Sequence, residues 1–170
     1  ARRYFAAFGP ASVEDLAAYV GRGKGGITPW RAAVAALGDE LIELNDEDGR
    51  LILDIADAPR PGEDAEAAPR LLARWDSLLL SHATGHRGRI IAERHREAVF
   101  TRNADVRPTF LLDGFVAGTW ELTRDDGSLA IELRPFAAMG RRDRVALEGE
   151  AERVLGLLDP NAMRSITVRA

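Results

Sequence analysis

Residues 57–69 read DAPRPGEDAEAAP, with three prolines, four carboxylates and no large apolar side chain. A stretch of this kind cannot join a hydrophobic core, and its prolines interrupt both helix and sheet. It reads as an exposed linker. The chain on either side must therefore find its own apolar partners. A chain of 170 residues can bury about 68–70% of its unfolded surface, so no staples are required. The organisation predicted is a first domain over 1–58, a linker over 59–69 and a second domain over 70–170.

In the first domain the apolar period is helical and then changes. Ser12 and Asp15 have the spacing of a capping box. Val13, Leu16, Ala17 and Val20 follow as one buried stripe. The glycine-rich segment 21–26, GRGKGG, stops that helix. Thr28 and Pro29 open the next helix, which carries Trp30, Ala33, Val34 and Leu37 inward. Segments 41–44 and 51–55 are strand-like and enclose the turn NDEDG. Helix, connector, helix and hairpin make a winged-helix arrangement, with residues 2–8 closing the preceding helix before Gly9 and Pro10.

The second domain reads as a β-meander followed by a helix. Asp113-Gly114 is a two-residue hairpin signal between 109–112 and 115–122. Val116, Gly118, Trp120 and Leu122 alternate, as do Leu129, Ile131 and Leu133. Residues 92–100 read as a short helix carrying Arg94, His95 and Arg96. Residues 143–158 read as a longer helix with Leu147, Ala151, Val154 and Leu158 on one side, and 166–168 as a closing strand. Trp30, Trp75 and Trp120 each lie in an apolar pattern, which predicts core positions for all three. The fold class expected is α+β: a winged helix, then a small antiparallel, barrel-like β domain with a C-terminal helix.

Three segments together resemble one family. They are RYFAAFGPASVEDL at 3–16, LLARWDSLLLSH at 71–82 and PTFLLDGFVAGTW at 108–120. They resemble, in order, the bacterial winged-helix DNA-binding domain-containing proteins. That family includes DNA glycosylases that unhook interstrand crosslinks and release alkylated purines. The resemblance implies a C-terminal portion of such a protein, with tandem winged helices followed by a small β-barrel-like domain. It marks Trp75, Asp76, His82, Asp113, Gly114, Gly118 and Trp120 as family-motif residues. In glycosylase members, water activation resembles the work of a Gln-x-Gln or Gln-x-Asp motif in the N-terminal region. This chain has no glutamine, so that motif carries over to no position. Either the catalytic residues lie outside this chain, or this family member is not a glycosylase.

Composition sets the remaining limits. Cysteine is absent, which excludes disulfides, thiolate zinc sites and a Cys nucleophile. No apolar run reaches the ~18 residues of a membrane span. The 23 basic residues comprise 22 arginines and Lys24, against 27 acids, for a net charge of −4. Segment 1–58 holds six basic and ten acidic residues, the reverse of a general phosphate-binding surface. The basic stretch is 86–107, where Arg87, Arg89, Arg94, Arg96, Arg102 and Arg107 face only Glu93, Glu97 and Asp105. Guanidinium groups suit bidentate phosphate contact, although a solvated helix face fits the same pattern.

The residues expected at DNA are Arg87, Arg89, Arg94, Arg96 and Arg102, with Arg22, Lys24 and Arg31 as secondary contacts. His82 and His86 have helical metal spacing, but Gly85 breaks the helix and no third ligand follows. No metal or cofactor is expected. A pocket formed by Asp76 and His82 is the sole candidate for acid–base chemistry. The reading is duplex DNA binding by a cytoplasmic, glycosylase-like repair protein. The rival is a protein-interaction or scaffold module that uses the acidic winged helix.

Overall fold

Ser12 begins the helix that its spacing predicted, and both halves of the capping box form. The Asp15 N–H donates to Ser12 Oγ at 3.1 Å, and the Ser12 N–H donates to Asp15 Oδ2 at 2.9 Å. The computed structural model describes residues 1–169 apart from Arg22, Lys24, Glu63 and Ala104. The candidate contacts Arg22 and Lys24 lie outside the described residues. Contacts among the remainder divide the chain into two units. The first contains Ala1–Asp64 and Ser77–Arg87; the second contains Ala65–Asp76 and Gly88–Ala170.

Helices α1 (Arg2–Phe8), α2 (Val13–Val20) and α3 (Thr28–Ala35) precede a hairpin of β1 (Leu41–Asn45) and β2 (Leu51–Ile55). Pro29 sits in the first turn of α3, where its missing N–H costs nothing. The hairpin is antiparallel, with Leu41 opposite Ile55 and Asn45 opposite Leu51. Between α1 and α2, Ala11 exchanges backbone hydrogen bonds with Leu53 at 2.9 and 2.8 Å. The connector therefore acts as a one-residue third strand. Tyr4, Phe5, Ala11, Leu16, Leu53 and Ile55 form this unit's core, with Trp30 and Val34 packed on it. The short α4 (Ser77–Leu80) also belongs to this unit and buries Leu79.

The second unit is built on β3 (Arg70–Leu72), β4 (Thr109–Leu112), β5 (Phe115–Asp125), β6 (Ser128–Pro135) and β7 (Met163–Val168), hydrogen-bonded in that order. Asp113 and Gly114 make the expected tight turn, with φ of 48° and 78°. The expected barrel-like closure does not occur. β3 and β7 are the two edges of an open sheet. The sheet is also not wholly antiparallel, because β7 runs parallel to β6. The cause is α6 (Arg141–Leu158), which lies between them in sequence. Parallel neighbours require such a crossover, and the closing strand expected at 166–168 runs from Met163 to Val168.

Helix α6 covers one face of the sheet. It buries Leu147, Ala151 and Leu155 completely against Phe110, Trp120, Leu129, Ile131 and Leu133. The inward residue of the last turn is Leu155, whereas Leu158 is exposed. The segment expected as one helix over 92–100 is a 3-10 turn at Glu93–His95 running into α5 (Arg96–Val99).

Gly118 is where this sheet tolerates least. A Cβ there would lie 2.5 Å from the carbonyl oxygen of Arg134 and would run into the ring of Phe110. The β4–β5 register shifts between Phe110 and Leu111, beside that ring. The expected outcome is that Gly118→Ala costs about 2 kcal/mol or more through overpacking, measured as a lower urea midpoint. The open turn at Gly127 has nothing within reach of a Cβ.

Candidate nucleic-acid interface

Asp15 is a buried side chain of the first unit with a hydrogen-bond partner on every side. Its Oδ2 accepts from the Ser12 N–H at 2.9 Å and from Ser12 Oγ at 2.7 Å. Its Oδ1 accepts from the Ala83 N–H at 2.8 Å and from His86 Nδ1 at 2.7 Å. Burial works against the charged carboxylate. The donated hydrogen bonds from Ser12, Ala83 and His86 outweigh burial and hold the Asp15 pKa below its ordinary value. Tyr4 adds a second tie to the same segment, donating its hydroxyl to Ser81 O at 2.7 Å.

An ionised carboxylate only accepts, so His86 donates to it from Nδ1. His86 lines a cleft of about 420 Å³ together with Ser12, Glu14, Arg31, Arg50 and Leu51. This carboxylate–imidazole pair was not anticipated. The sequence reading treated Asp15 as a local cap and paired His86 with His82 as a metal spacing. The two partners are 71 residues apart. The one local signal was a carboxylate at the third helical position, which says nothing about its second oxygen. His82 is buried and shares a 2.7 Å hydrogen bond between Nδ1 and Ser81 Oγ. Among the described residues no three His, Cys, Asp or Glu side chains gather as metal ligands would.

The predicted arginines are divided between the two units. Arg87 belongs to the first unit and donates its Nε–H to His82 O at 3.1 Å. Arg89, Arg94, Arg96 and Arg102 belong to the second. Arg89, Arg94 and Arg102 are exposed, while Arg96 is partly buried and bonded to Glu93 at 2.8 Å. Arg94 donates its Nε–H to His95 Nε2 at 3.1 Å, and the His95 ring stacks on Phe136 at 4.4 Å. Burial, reinforced by the Arg94 charge, lowers the His95 pKa. Both causes keep that ring neutral and able to accept from Arg94. Among the described residues, neither Arg102 nor Arg107 forms an ion pair.

In the first unit Arg31 is exposed on α3 and reaches Glu14 at 3.5 Å. The acidic hairpin turn is closed on itself. Asp46 accepts from the Asp48 and Arg50 N–H groups, and the Arg50 guanidinium bridges Asp46 and Asp48 at 2.7 and 2.9 Å. The hydrogen bond from the Arg50 backbone is the main cause that lowers the Asp46 pKa.

The family-motif residues divide by role. Trp120 is buried in the sheet, where its Nε1–H donates to Leu72 O at 2.8 Å and ties β3 to the core. Gly118 gives the Phe110 ring its space. Asp76 is partly buried just before α4. Trp75 departs from the expectation of a core position. It is 49% exposed, because a turn over 73–76 lifts it away from the adjoining apolar run.

Comparison with known proteins gives a consistent result. The model of the family described as DNA glycosylase AlkZ-like matches residues 1–157. An interstrand DNA cross-link repair glycosylase from Streptomyces sahachiroi is 29% identical over 157 residues. That alignment covers 90% of this chain and 40% of the relative. Among solved structures, Streptomyces sahachiroi DNA glycosylase AlkZ matches with a TM-score of 0.74 and 25% identity. It covers 99% of this chain and 44% of that one. The chain thus spans less than half the length of the relatives it matches.

The Asp15 network has a pH signature. A depressed carboxylate pKa stabilises the fold fully above the ordinary value of 3.8, and the contribution is lost as pH falls from there through the depressed value. Asp15→Asn should flatten the fall of the urea midpoint in that acid window. Asp15→Ala should cost about 3 kcal/mol at neutral pH, because it strands the buried donors of Ser12, Ala83 and His86. Equal acid dependence in wild type and Asp15→Asn would contradict the assignment.

Proposed function

Because the chain belongs to the AlkZ-like DNA glycosylase family, we propose that it holds duplex DNA for a glycosylase acting on alkylated or crosslinked bases. The observation that carries this reading is the family match, which spans residues 1–157 and so reaches into both units. A relative over the same span is named for interstrand cross-link repair. The exposed guanidinium groups of the second unit, Arg89, Arg94 and Arg102, supply phosphate contacts. Arg31 and Arg87 add contacts from the first unit, and Arg96 contributes when it exchanges Glu93 for a phosphate. Arg22 and Lys24, in the glycine-rich connector, are assigned the same role. We place no bond-breaking residue on this chain, since a glutamine-based motif has no position in it. A bacterial cytoplasm, where chromosomal DNA lies, accords with this role.

The winged-helix reading of the first unit is part of the proposal. Two helices, a hairpin and the short third strand at Ala11 support it. In that arrangement α3 is the helix that enters a groove. Its outward face offers Arg31 with Ala32 and Ala35, so it reads bases weakly and positions mainly through charge. The rival reading, a protein-interaction module, is favoured by one observation. Tyr19 and Val20 are 40% and 52% exposed at the end of α2, in a segment of net negative charge.

Salt dependence separates the two. Affinity for a fluorescent duplex should fall steeply as salt rises, with the logarithmic slope set by the number of phosphates engaged. Charge reversal at Arg89 and Arg102 should weaken binding and reduce that slope by about one for each contact removed. An affinity indifferent to salt and to both substitutions would favour the protein-interaction reading.

A further inference from the structure

Trp75 combines two properties that rarely coincide without a use. Its backbone is left-handed, with φ of 61°. For a bulky residue this is a genuine outlier, and such outliers concentrate at functional sites. Its ring is nevertheless 49% exposed. Of the three tryptophans it is the most exposed. A position that merely turned the chain would be filled by glycine or asparagine without strain. A position that merely packed the core would hide the ring.

Local hydrogen bonds hold this conformation in place. The Asp76 N–H donates to Ala73 O at 3.2 Å and closes the turn. The Trp75 N–H donates to Val106 O at 3.3 Å, which docks the turn on the segment before β4. Arg74 reaches Asp105 at 3.4 Å across the same join. Trp75 thus follows Arg74 directly and is bonded through its N–H to the residue before Arg107, and both arginines line a cleft of about 620 Å³ together with Asp105, Thr119, Glu121 and Arg134. The Arg74 side chain is 61% exposed, and Arg107 is exposed on the cleft's rim.

An exposed aromatic ring with guanidinium groups on neighbouring residues is the combination that binds unpaired nucleic acid. The ring stacks on a base, and the cations hold the phosphates on either side. We infer that Trp75 is a stacking platform for an unpaired nucleobase, with Arg74 and Arg107 as its phosphate contacts. This rests on the DNA-binding reading and deepens it. A base in an intact duplex has both faces covered by its neighbours, so the platform acts only on single-stranded or locally opened DNA. Stacking uses the π face common to all bases, so the site is tolerant of sequence.

The test uses the full chain with a labelled single-stranded oligonucleotide and an intact duplex. Trp75→Gly removes the ring and relieves the left-handed backbone, so its urea midpoint should equal or exceed that of wild type. Its affinity for the single strand should fall about 10-fold, with a change of less than about 2-fold on the duplex. Trp75→Tyr should restore most of the lost affinity. In the unmutated chain, the single strand should quench tryptophan emission, and an abasic oligomer of the same length should not. The inference is overturned if Trp75→Gly binds the single strand as tightly as wild type. It is equally overturned if the variant loses stability and both affinities together, or if the abasic oligomer quenches as well as the normal one. Failure of wild type to bind either DNA at low salt would remove the DNA-binding reading, and the platform with it. Duplex binding that survives with no role for Trp75 would remove the platform alone.

Discussion

Four hydrogen bonds converge on Asp15, and the first unit depends on them. One oxygen caps the helix in which the residue lies. The other holds a segment that comes from beyond the proline-rich stretch. A carboxylate buried without donors would shift toward its neutral form and lose much of this bonding. Here all the donors are supplied, and the charge becomes a clamp instead of a burden. The Tyr4 hydroxyl repeats the attachment at Ser81 through an uncharged group. Between them the two side chains hold residues 81–86.

The second unit is organised around one close approach. The Phe110 ring occupies the space a side chain at position 118 would fill. The sheet can therefore bring β4 and β5 together only with a bare backbone on β5 at that point. Helix α6 then crosses the face so formed, and β7 returns alongside β6. Glu150 shows how the helix is registered against the sheet. It is buried on α6, accepts from the Leu71 N–H at 3.4 Å and is held by the Arg153 guanidinium at 2.7 and 2.9 Å.

Much of the fold was legible because its signals were local. The capping box at Ser12, the proline at the head of α3 and the Asp113-Gly114 turn each need only neighbours in sequence. The strands around that turn announced themselves by alternation. What was not legible depended on distance. A carboxylate three positions into a helix looks the same whether or not a histidine 71 residues away needs it. The open edge at β7 followed from a crossover that periodicity does not encode, since a strand sequence carries no mark of parallel or antiparallel pairing. Trp75 misled for a related reason. Its apolar neighbours implied burial, and only the backbone turn on which it rides sets it outward. The arginine-rich segment reads as one stretch because its residues are contiguous, while the boundary after Arg87 divides them between two units.

The path of the chain through its two units carries a consequence for synthesis. Residues 65–76 belong to the second unit, yet they are made before residues 77–87, which the first unit needs. A nascent chain that has emerged only through the proline-rich stretch has the first three helices and the hairpin. It has no backbone N–H from Ala83 and no imidazole from His86 for the inner oxygen of Asp15. The first unit then has only water at that oxygen, and its clamp is not yet made. Vectorial folding must hold it in that state until the chain has grown past residue 86. Truncation at the compositional linker would freeze the same incomplete state, so the visible seam in the sequence is a poor place to divide this protein.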